Sequence, residues 1–252
     1  MCLIAWSWQP ESATPLLLLS NRDEFYNRPA LPLHWWDGEG ATVLAGRDLQ
    51  AGGTWLGVNR KGHLAALTNF RTATPPRTDS PSRGELVAGF LQGTQDAREY
   101  LEALRHTAHD YNPFNLLVFD GRQLLGLESR QARIVAMAPG MGAVSNADFH
   151  TPWPKLTRLQ RCLHGHVLAG DTRAEQVFAL LHDTTLASDD TLPQTGVPQA
   201  LERALSATFI ATPAYGTRAC SVVHIQQHAV EFTEQSFGPD GFIDSRQTCF
   251  GF

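Results

Sequence analysis

The sequence predicts an α+β fold in which two antiparallel sheets are flanked by helices. Short apolar strand patterns fill the first third of the chain, helical patterns occur in two separate groups, and strand patterns return after each group. These patterns do not alternate strictly between strand and helix, so a doubly wound parallel sheet is not expected. No internal repeat is seen.

The first third of the chain contains five predicted strands, in the segments CLIAWSW, PLLLLSN, TVLAG, GTWLGVN and HLAALTN. The linkers QPESAT and RKG have the turn chemistry of hairpin loops, so the first two and the last two strands should pair. The segment TATPPRTDSPSRG follows and is rich in Pro, Ser and Thr. It is predicted to be a long loop, either a functional flap or a domain boundary.

Two helices are predicted next, in RGELVAGFLQG and TQDAREYLEALRHTAHDY, with Ser82 and Thr94 as their caps. FNLLVFD and QLLGLES should form a hairpin, and RIVAMA and GAVSN continue as strands. Helical patterns return in PWPKLTRLQRCLHGHVL, TRAEQVFALLHD and PQALERALSAT. The chain closes on a predicted hairpin of CSVVHIQ and AVEFTEQSF.

Composition limits the function classes. Lys and Arg number 20 and Asp and Glu number 25, so the formal net charge is −5, and no basic run is present. Nothing in this charge favours nucleic acid or an anionic membrane as a partner. Hydrophobic residues make up 42% of the 252 residues, which is typical of a globular protein, and we predict one domain over residues 1–252.

The cysteines are widely spaced and form no C-x-x-C pair, which disfavours a disulfide scaffold or a zinc ribbon; they are Cys2, Cys162, Cys220 and Cys249. The start of the chain lacks a secretory signal pattern, and no run approaches the roughly 18 apolar residues of a membrane span. We therefore expect a cytoplasmic protein without a membrane span.

The ten histidines raise the question of a metal site. His106 and His109 are three residues apart on a predicted helix, and His164 and His166 are two apart. Neither pair is joined by a third ligand at suitable spacing, so no metal site is predicted and surface histidines are the favoured interpretation.

Cys2 lies at the head of the first apolar strand. Removal of an initiator methionine would leave a thiol and a free α-amine on this one residue, which could serve as nucleophile and base. A hairpin of the first two strands would bring a charged cluster near it, containing Asn21, Arg22, Asp23, Glu24 and Arg28. A cation there would lower the pKa of the thiol, and a carboxylate could orient the amine. The alternatives are a buried, inert cysteine and a solvated turn.

Four segments resemble the NRDE family, also called the transport and Golgi organisation 2 family. They are SNRDEFYNRP, GRDLQAGGTWLGVNRKGHLAALTNFR, SNADFHTPWPK and YGTR, and they occur in the expected order over nearly the whole chain. The family is similar to the N-terminal nucleophile hydrolases, which implies a four-layer αββα sandwich of two antiparallel sheets. Its eukaryotic members are associated with Golgi organisation, haem mobilisation and lipid metabolism.

The resemblance implies roles for particular residues, by comparison with the cysteine hydrolases that cleave conjugated bile acids and penicillin V. Cys2 resembles their nucleophile, and Asp23 the carboxylate that holds its α-amine. Arg22 is displaced two positions from their arginine and would share its face only if the strand stays extended. Asn69 and Asn146 resemble two amides that stabilise the oxyanion. Each asparagine is also a common turn residue.

Further residues are predicted to bind substrate: Asn21, Glu24, Trp55, Phe70 and Arg71. Trp55 follows a Gly-Gly pair and could form an aromatic wall beside a substrate, or be a buried core residue. Arg218, in YGTR, resembles a distal catalytic arginine and is equally suited to bind a carboxylate or phosphate. G-x-G-x-x-G and G-x-S-x-G motifs are absent.

Two functions remain open on the sequence. The first is a hydrolase in which Cys2 attacks the carbonyl of a non-peptide amide or a thioester in a small-molecule substrate. The second is a carrier of the same fold that binds haem or an acyl-CoA-like hydrophobic ligand without turnover. No cofactor is expected, and haem enters only as a ligand.

Overall fold

The computed structural model describes residues 2–36 and 41–252 and contains the two predicted antiparallel sheets. The strands are, in chain order, β1 (Cys2–Trp8), β2 (Leu16–Phe25), β3 (Ala30–Trp35), β4 (Val43–Asp48), β5 (Leu56–Asn59), β6 (Leu64–Asn69), β7 (Phe114–Phe119), β8 (Leu124–Glu128), β9 (Arg133–Ala136), β10 (Gly140–Val144), β11 (Tyr215–Ile225), β12 (Ala229–Gly238) and β13 (Gly241–Gly251). The first sheet has the order β10-β1-β2-β11-β12-β13, and the second runs from β3 to β9 in sequence order.

Helices cover the outer face of each sheet. They are α1 (Gly84–Gln92), α2 (Ala97–Leu104), α3 (Pro154–Leu168), α4 (Ala174–Leu181) and α5 (Gln199–Ala204). Apolar side chains of α1 and α2 pack on the second sheet, and those of α3 and α4 pack on the first. A third apolar core lies between the sheets. The order of layers is therefore helix, sheet, sheet, helix, and the predicted αββα fold class is confirmed.

The position of β1 determines where Cys2 lies. All seven residues of β1 are buried, because neighbouring strands pair on both edges and apolar cores cover both faces. Side chains alternate along a strand, so Leu16 and Leu18 of β2 enter the core between the sheets, whereas Leu17 and Leu19 face the helices. Cys2 faces the core between the sheets and lies directly opposite Arg22.

The structure corrects one predicted strand boundary and adds two strands. β2 runs on to Phe25, so Asn21, Arg22, Asp23 and Glu24 of the charged cluster lie within the strand rather than behind it, and Arg28 follows the strand. β3 was not predicted; it is an edge strand containing Pro32, a residue that interrupts a strand pattern but is tolerated at a sheet edge. β13 was also missed, because an exposed edge strand carries no apolar alternation.

The helix caps and the histidine positions also differ from expectation. Asp96, not Thr94, caps α2: its side chain accepts from the Glu99 backbone N–H at 2.8 Å, and Glu99 reciprocates. The cap residue of α1 is Arg83, while Ser82 accepts only a weaker 3.3 Å bond from the Gly84 N–H. Because α2 ends at Leu104, both His106 and His109 lie beyond it.

None of the described helices has the length and apolar character that crossing a bilayer requires.

Candidate active site

A cavity of about 450 Å³ lies at the start of β1. Six of the predicted site residues line this space, which we call the thiol cavity: Cys2, Arg22, Asp23, Glu24, Trp55 and Asn69. They come from three strands, β1, β2 and β6, and from the segment before β5, and the antiparallel pairing brings these chain ends together. Cys2 is only 7% exposed, yet its side chain forms part of the cavity wall.

The long loop predicted before α1 forms another wall of the thiol cavity. Residues 78 and 80–84 line it. The loop is fastened by Arg77, whose guanidinium donates to the carbonyls of His109, Asp110 and Tyr111 at 2.8–2.9 Å. The Asn112 side chain accepts a hydrogen bond from the Arg77 backbone N–H and donates one to the Arg77 carbonyl. The loop therefore shapes the access to Cys2.

The backbone of Cys2 is fixed by β-pairing and by a hydrogen bond from Ser145 Oγ to its carbonyl at 3.1 Å. Burial raises the pKa of the Cys2 thiol, and Asp23 and Glu24 act in the same direction, whereas Arg22 opposes them. Arg22 lowers the pKa of the thiol, as expected of a cation in this position, but burial outweighs it and the pKa is raised overall. Activation of this thiol needs a base.

Arg22 is held beside the thiol by two contacts. Its guanidinium lies 4.4 Å from the centre of the Trp55 ring, and its Nη2 is 3.0 Å from Asp48 Oδ2. Arg28 Nε contacts the same carboxylate oxygen at 2.6 Å. Since Arg22 faces Cys2 across the β1–β2 pair, the extended backbone brings the displaced arginine onto the thiol's side of the sheet.

Asp48 balances these two arginines. Its other oxygen accepts the backbone N–H groups of Gln50 and Ala51 at 3.1 and 3.0 Å. Burial alone would raise the pKa of Asp48, but the Arg28 hydrogen bond, the Ala51 N–H and the arginine charges hold it below its usual range. Asp48 therefore stays ionised and fixes both cations.

Asp23 lies at the end of β2, on the face that packs against the helices. Its Oδ1 accepts a 2.7 Å bond from Thr217 Oγ1, and its backbone carbonyl accepts the Tyr215 hydroxyl at 2.9 Å. Burial raises the pKa of Asp23, while Lys155 is the nearby charge that lowers it most. Asn21, on the same face, donates to the carbonyls of Leu181 and Thr208 and does not line the thiol cavity.

The two candidate oxyanion residues are in direct contact. Asn69, the last residue of β6, lines the thiol cavity, and its carbonyl accepts Asn146 Nδ2 at 2.8 Å. Asn146 Oδ1 accepts Ser145 Oγ at 3.2 Å and Arg71 Nη2 at 3.4 Å. Asn146 lines a neighbouring cavity instead, so its side-chain amide contacts the Asn69 backbone from outside the thiol cavity.

Phe70 and Arg71 line a second space of about 480 Å³, which we call the apolar cavity. Its apolar lining consists of Phe70, Pro75, Pro76, Pro113, Val197, Leu201 and Leu205. It shares Asn69, Arg83 and Asn112 with the thiol cavity, so the two spaces are neighbours.

Arg218 is placed away from Cys2. Its guanidinium donates to the backbone carbonyls of Phe25, Tyr26, Arg28 and Phe237 at 2.9–3.1 Å. It lines a separate cavity of about 230 Å³, on the far side of Arg22 and Trp55. These contacts fix the chain after β2.

Three residues near the site were not predicted: Asp48, Arg83 and Lys155. Asp48 and Arg83 lie within quoted segments, GRDLQAGGTWLGVNRKGHLAALTNFR and TATPPRTDSPSRG, but nothing in their spacing marks them as site residues. Lys155 is almost fully buried, and burial lowers its pKa to about 8. It occurs in the SNADFHTPWPK segment, but a single lysine in a helical pattern gives no sign of burial. Within residues 2–36 and 41–252 no cluster of three or more His, Cys, Asp or Glu suits a metal ion.

The described residues form a four-layer αββα sandwich with Cys2 at the head of a central strand. Solved structures of a conjugated bile acid hydrolase from Clostridium perfringens share the fold. One variant of it matches with a TM-score of 0.54 at 10% identity, covering 100% of this chain and 92% of that one. A second variant gives a TM-score of 0.54 at 10% identity, covering 100% and 96%.

The family is shown by sequence. The model for "Transport and Golgi organisation 2" matches residues 1–239. The transport and Golgi organization protein 2 homolog of Bos taurus is 35% identical over 258 aligned positions, covering 94% of this chain and 93% of the relative. The Homo sapiens homolog is 32% identical over 260 positions, with the same coverage. The chain belongs to the transport and Golgi organisation 2 family.

Proposed function

We propose that this protein is an N-terminal cysteine hydrolase of small acyl compounds, cleaving a non-peptide amide or a thioester. The observation that carries the proposal is the position of Cys2: it opens a central strand, lines the thiol cavity and lies opposite Arg22. Removal of Met1 would free its α-amine beside the thiol.

The reaction begins with a proton transfer from the Cys2 thiol to its own α-amine, whose ordinary pKa near 8 suits a base at neutral pH. The sulfur then bonds to the substrate carbonyl carbon, and the carbonyl oxygen becomes an oxyanion. Collapse of this intermediate breaks the C–N or C–S bond, and the α-ammonium returns the proton to the leaving group. Water hydrolyses the acyl-cysteine and regenerates the thiol.

Other residues support these steps. Asp23 holds the α-ammonium, and Asn69 donates to the oxyanion from the cavity wall. A preorganised donor of this kind contributes roughly 3 kcal/mol in acyl transfer. Asn146 is a positioning residue for Asn69, because its amide already donates to the Asn69 carbonyl. Arg22 provides positive charge beside the sulfur.

The apolar cavity supports an acyl substrate. It adjoins the thiol cavity at Asn69, the proposed oxyanion donor. An apolar acyl chain would lie in the apolar cavity, where burial favours it, and the leaving group would lie in the charged thiol cavity. The carbonyl between them would then be next to Cys2.

The test combines intact mass with a panel of amides and thioesters. We expect the purified protein to lack Met1 and to condense with 2-cyanobenzothiazole, a reagent for N-terminal cysteine. Cys2→Ala should lower hydrolysis by about 10³-fold or more, as loss of a nucleophile does. Cys249→Ala, which removes an exposed free thiol, is the control and should be without effect. Retained Met1, or undiminished turnover by Cys2→Ala, would contradict the proposal.

A second candidate function, binding without turnover, is favoured by the apolar cavity alone. If haem or an acyl-CoA occupies it as a carried ligand, titration should saturate at one ligand per chain in wild type and in Cys2→Ala. Leu201→Asp should weaken that binding at least tenfold by placing a charge in the cavity. Hydrolysis lost in Cys2→Ala would favour the enzyme, and unsaturable binding would exclude the carrier.

We also propose a cytoplasmic location for this activity. All four cysteines are free thiols, which supports a reducing compartment.

A further inference from the structure

A cluster of four charged side chains is buried near Cys2, and its members interact with one another: the Arg71 guanidinium lies on the ring of Trp153, which precedes α3, and Lys155 couples to Asp23, Arg71 and Glu202. Asp23, Arg71, Lys155 and Glu202 each have 6% or less of their surface exposed. Arg71 forms an ion pair with Glu202, which also accepts the Thr195 backbone N–H at 3.1 Å. These two charges therefore neutralise each other, and Lys155 and Asp23 are the remaining opposite charges in the cluster.

Lys155 occupies an unfavourable position for a cation. It is the second residue of α3, where the helix dipole repels positive charge, and the first turn contains no acidic residue. Among the described residues, its Nζ donates one hydrogen bond, to the Leu205 carbonyl at 3.1 Å. A buried ammonium is costly unless an anion compensates it. Asp23 is the charge that most favours the protonated form of Lys155.

We propose that Lys155 is a positioning residue: its ammonium, buried in the same cluster as Asp23, keeps that carboxylate ionised and able to bind the α-ammonium of Cys2. This inference rests on the proposed function, because it assigns Asp23 the amine of the processed cysteine. Lys155 does not line the thiol cavity and would act only through Asp23.

The other titratable or charged groups facing Asp23 come from every element packed against it. They are Cys2 on β1, Tyr26 after β2, Arg71 after β6, and Tyr215 and Cys220 on β11. Arg71 has Glu202 as its partner, and the remaining groups are neutral or acidic. Lys155 is thus the main source of positive charge for Asp23 on the helix side.

The sign of the effect follows from burial. Burial raises the pKa of Asp23, and the Lys155 ammonium opposes that shift. A nearby opposite charge typically lowers a carboxyl pKa by roughly 1–3 units. Loss of the ammonium should therefore raise the Asp23 titration midpoint by about one pH unit or more. The acid limb of the kcat/KM profile should move upward by the same amount.

The experiment measures Asp23 directly, by NMR of the processed protein labelled with ¹³C at the aspartate carboxyls. The Asp23 signal is the one missing in Asp23→Asn. We expect the midpoint to rise by about one unit or more in Lys155→Met. The control is Lys61→Met, at the only other lysine of the sequence, in the turn between β5 and β6. It should leave the midpoint unchanged.

A reciprocal measurement covers the case in which Lys155→Met does not fold. Coupling between two sites is mutual, so Asp23→Asn should lower the Lys155 titration midpoint, seen in ¹⁵N-lysine spectra that contain only two lysine signals. An unchanged midpoint in both experiments would overturn the inference, whatever the hydrolysis panel shows. Failure of the proposed function would be seen separately, as retained Met1 or as turnover by Cys2→Ala.

Discussion

Arg22 shows how one residue's role depends on its strand neighbours. The sequence places it two positions from the arginine of the cysteine hydrolases that the chain resembles, yet it lies directly opposite Cys2 because β2 continues extended through Glu24. Asp48 and Trp55 then fix its guanidinium. Neither contact was predictable, because both partners are remote in sequence and aspartate is a common residue in turns.

The first prediction at this scale concerns Asp48→Asn. The change removes the carboxylate that two arginines share, leaving Arg22 buried without a partner charge. We expect a loss of about 3 kcal/mol in the free energy of unfolding, measured with urea. Asp244→Asn removes an exposed ion pair with Arg246 and is the control, with an expected loss below about 1 kcal/mol. Equal losses in the two variants would contradict the interpretation.

The same variant has a defined pH dependence. The pKa of Asp48 is lowered on folding, so its contribution to stability is present at neutral pH and is lost as pH falls through the lowered value. The difference in unfolding free energy between wild type and Asp48→Asn should therefore shrink progressively below about pH 4. A difference that stays constant down to pH 2 would show that the carboxylate charge is not responsible.

At the scale of elements, helix α1 and the turn before β5 are packed backbone against backbone. A Cβ added to Gly53 would lie 2.4 Å from the Gly84 carbonyl carbon, and the Thr54 N–H donates to the Gly84 carbonyl at 3.2 Å. This close approach sets the start of α1 against the thiol cavity, with Arg83 at its edge. The Gly-Gly motif noted before Trp55 therefore has a packing reason.

The corresponding prediction is for Gly53→Ala. The methyl group must push α1 away from the turn and widen the thiol cavity, so we expect a loss of about 1–3 kcal/mol in the unfolding free energy and faster alkylation of Cys2 by iodoacetamide. Gly165→Ala in α3 is the control, because nothing lies within 4 Å of its added Cβ. It should be neutral or stabilising by up to about 1 kcal/mol. A stable Gly53→Ala with unchanged alkylation would refute this account.

The elements themselves were predictable to different degrees. Apolar strands such as β1 and β7 and the amphipathic helices were identified because burial imposes a periodic pattern on them. β3 and β13 were not, since edge strands bury little and tolerate proline and polar residues. The cap of α2 was placed two residues early, because Thr94 and Asp96 are both good caps and only tertiary contacts choose between them.

For the whole molecule, the order of elements predicted two antiparallel sheets, and the resemblance predicted their stacking. The site was predicted less completely, because strand alternation decides which side chains face the thiol cavity. Asn21 differs from Arg22 by one position and points to the helices instead. Lys155 and Asp23 come together only through the docking of α3 on the first sheet. Such convergence of distant segments has no local sequence signal.

The last residue of the chain lies at the other end of the second sheet from the thiol cavity. The Phe252 N–H donates to the His228 carbonyl, and its ring lies beside Gly62, in the turn that precedes β6. Asn69 is at the opposite end of that strand, about 17 Å away at 3.3–3.4 Å per residue. Coupling to a bead or sensor chip through a carboxy-terminal tag would therefore leave the opening at Cys2 turned toward the solution, whereas an amino-terminal tag would occupy the residue under study.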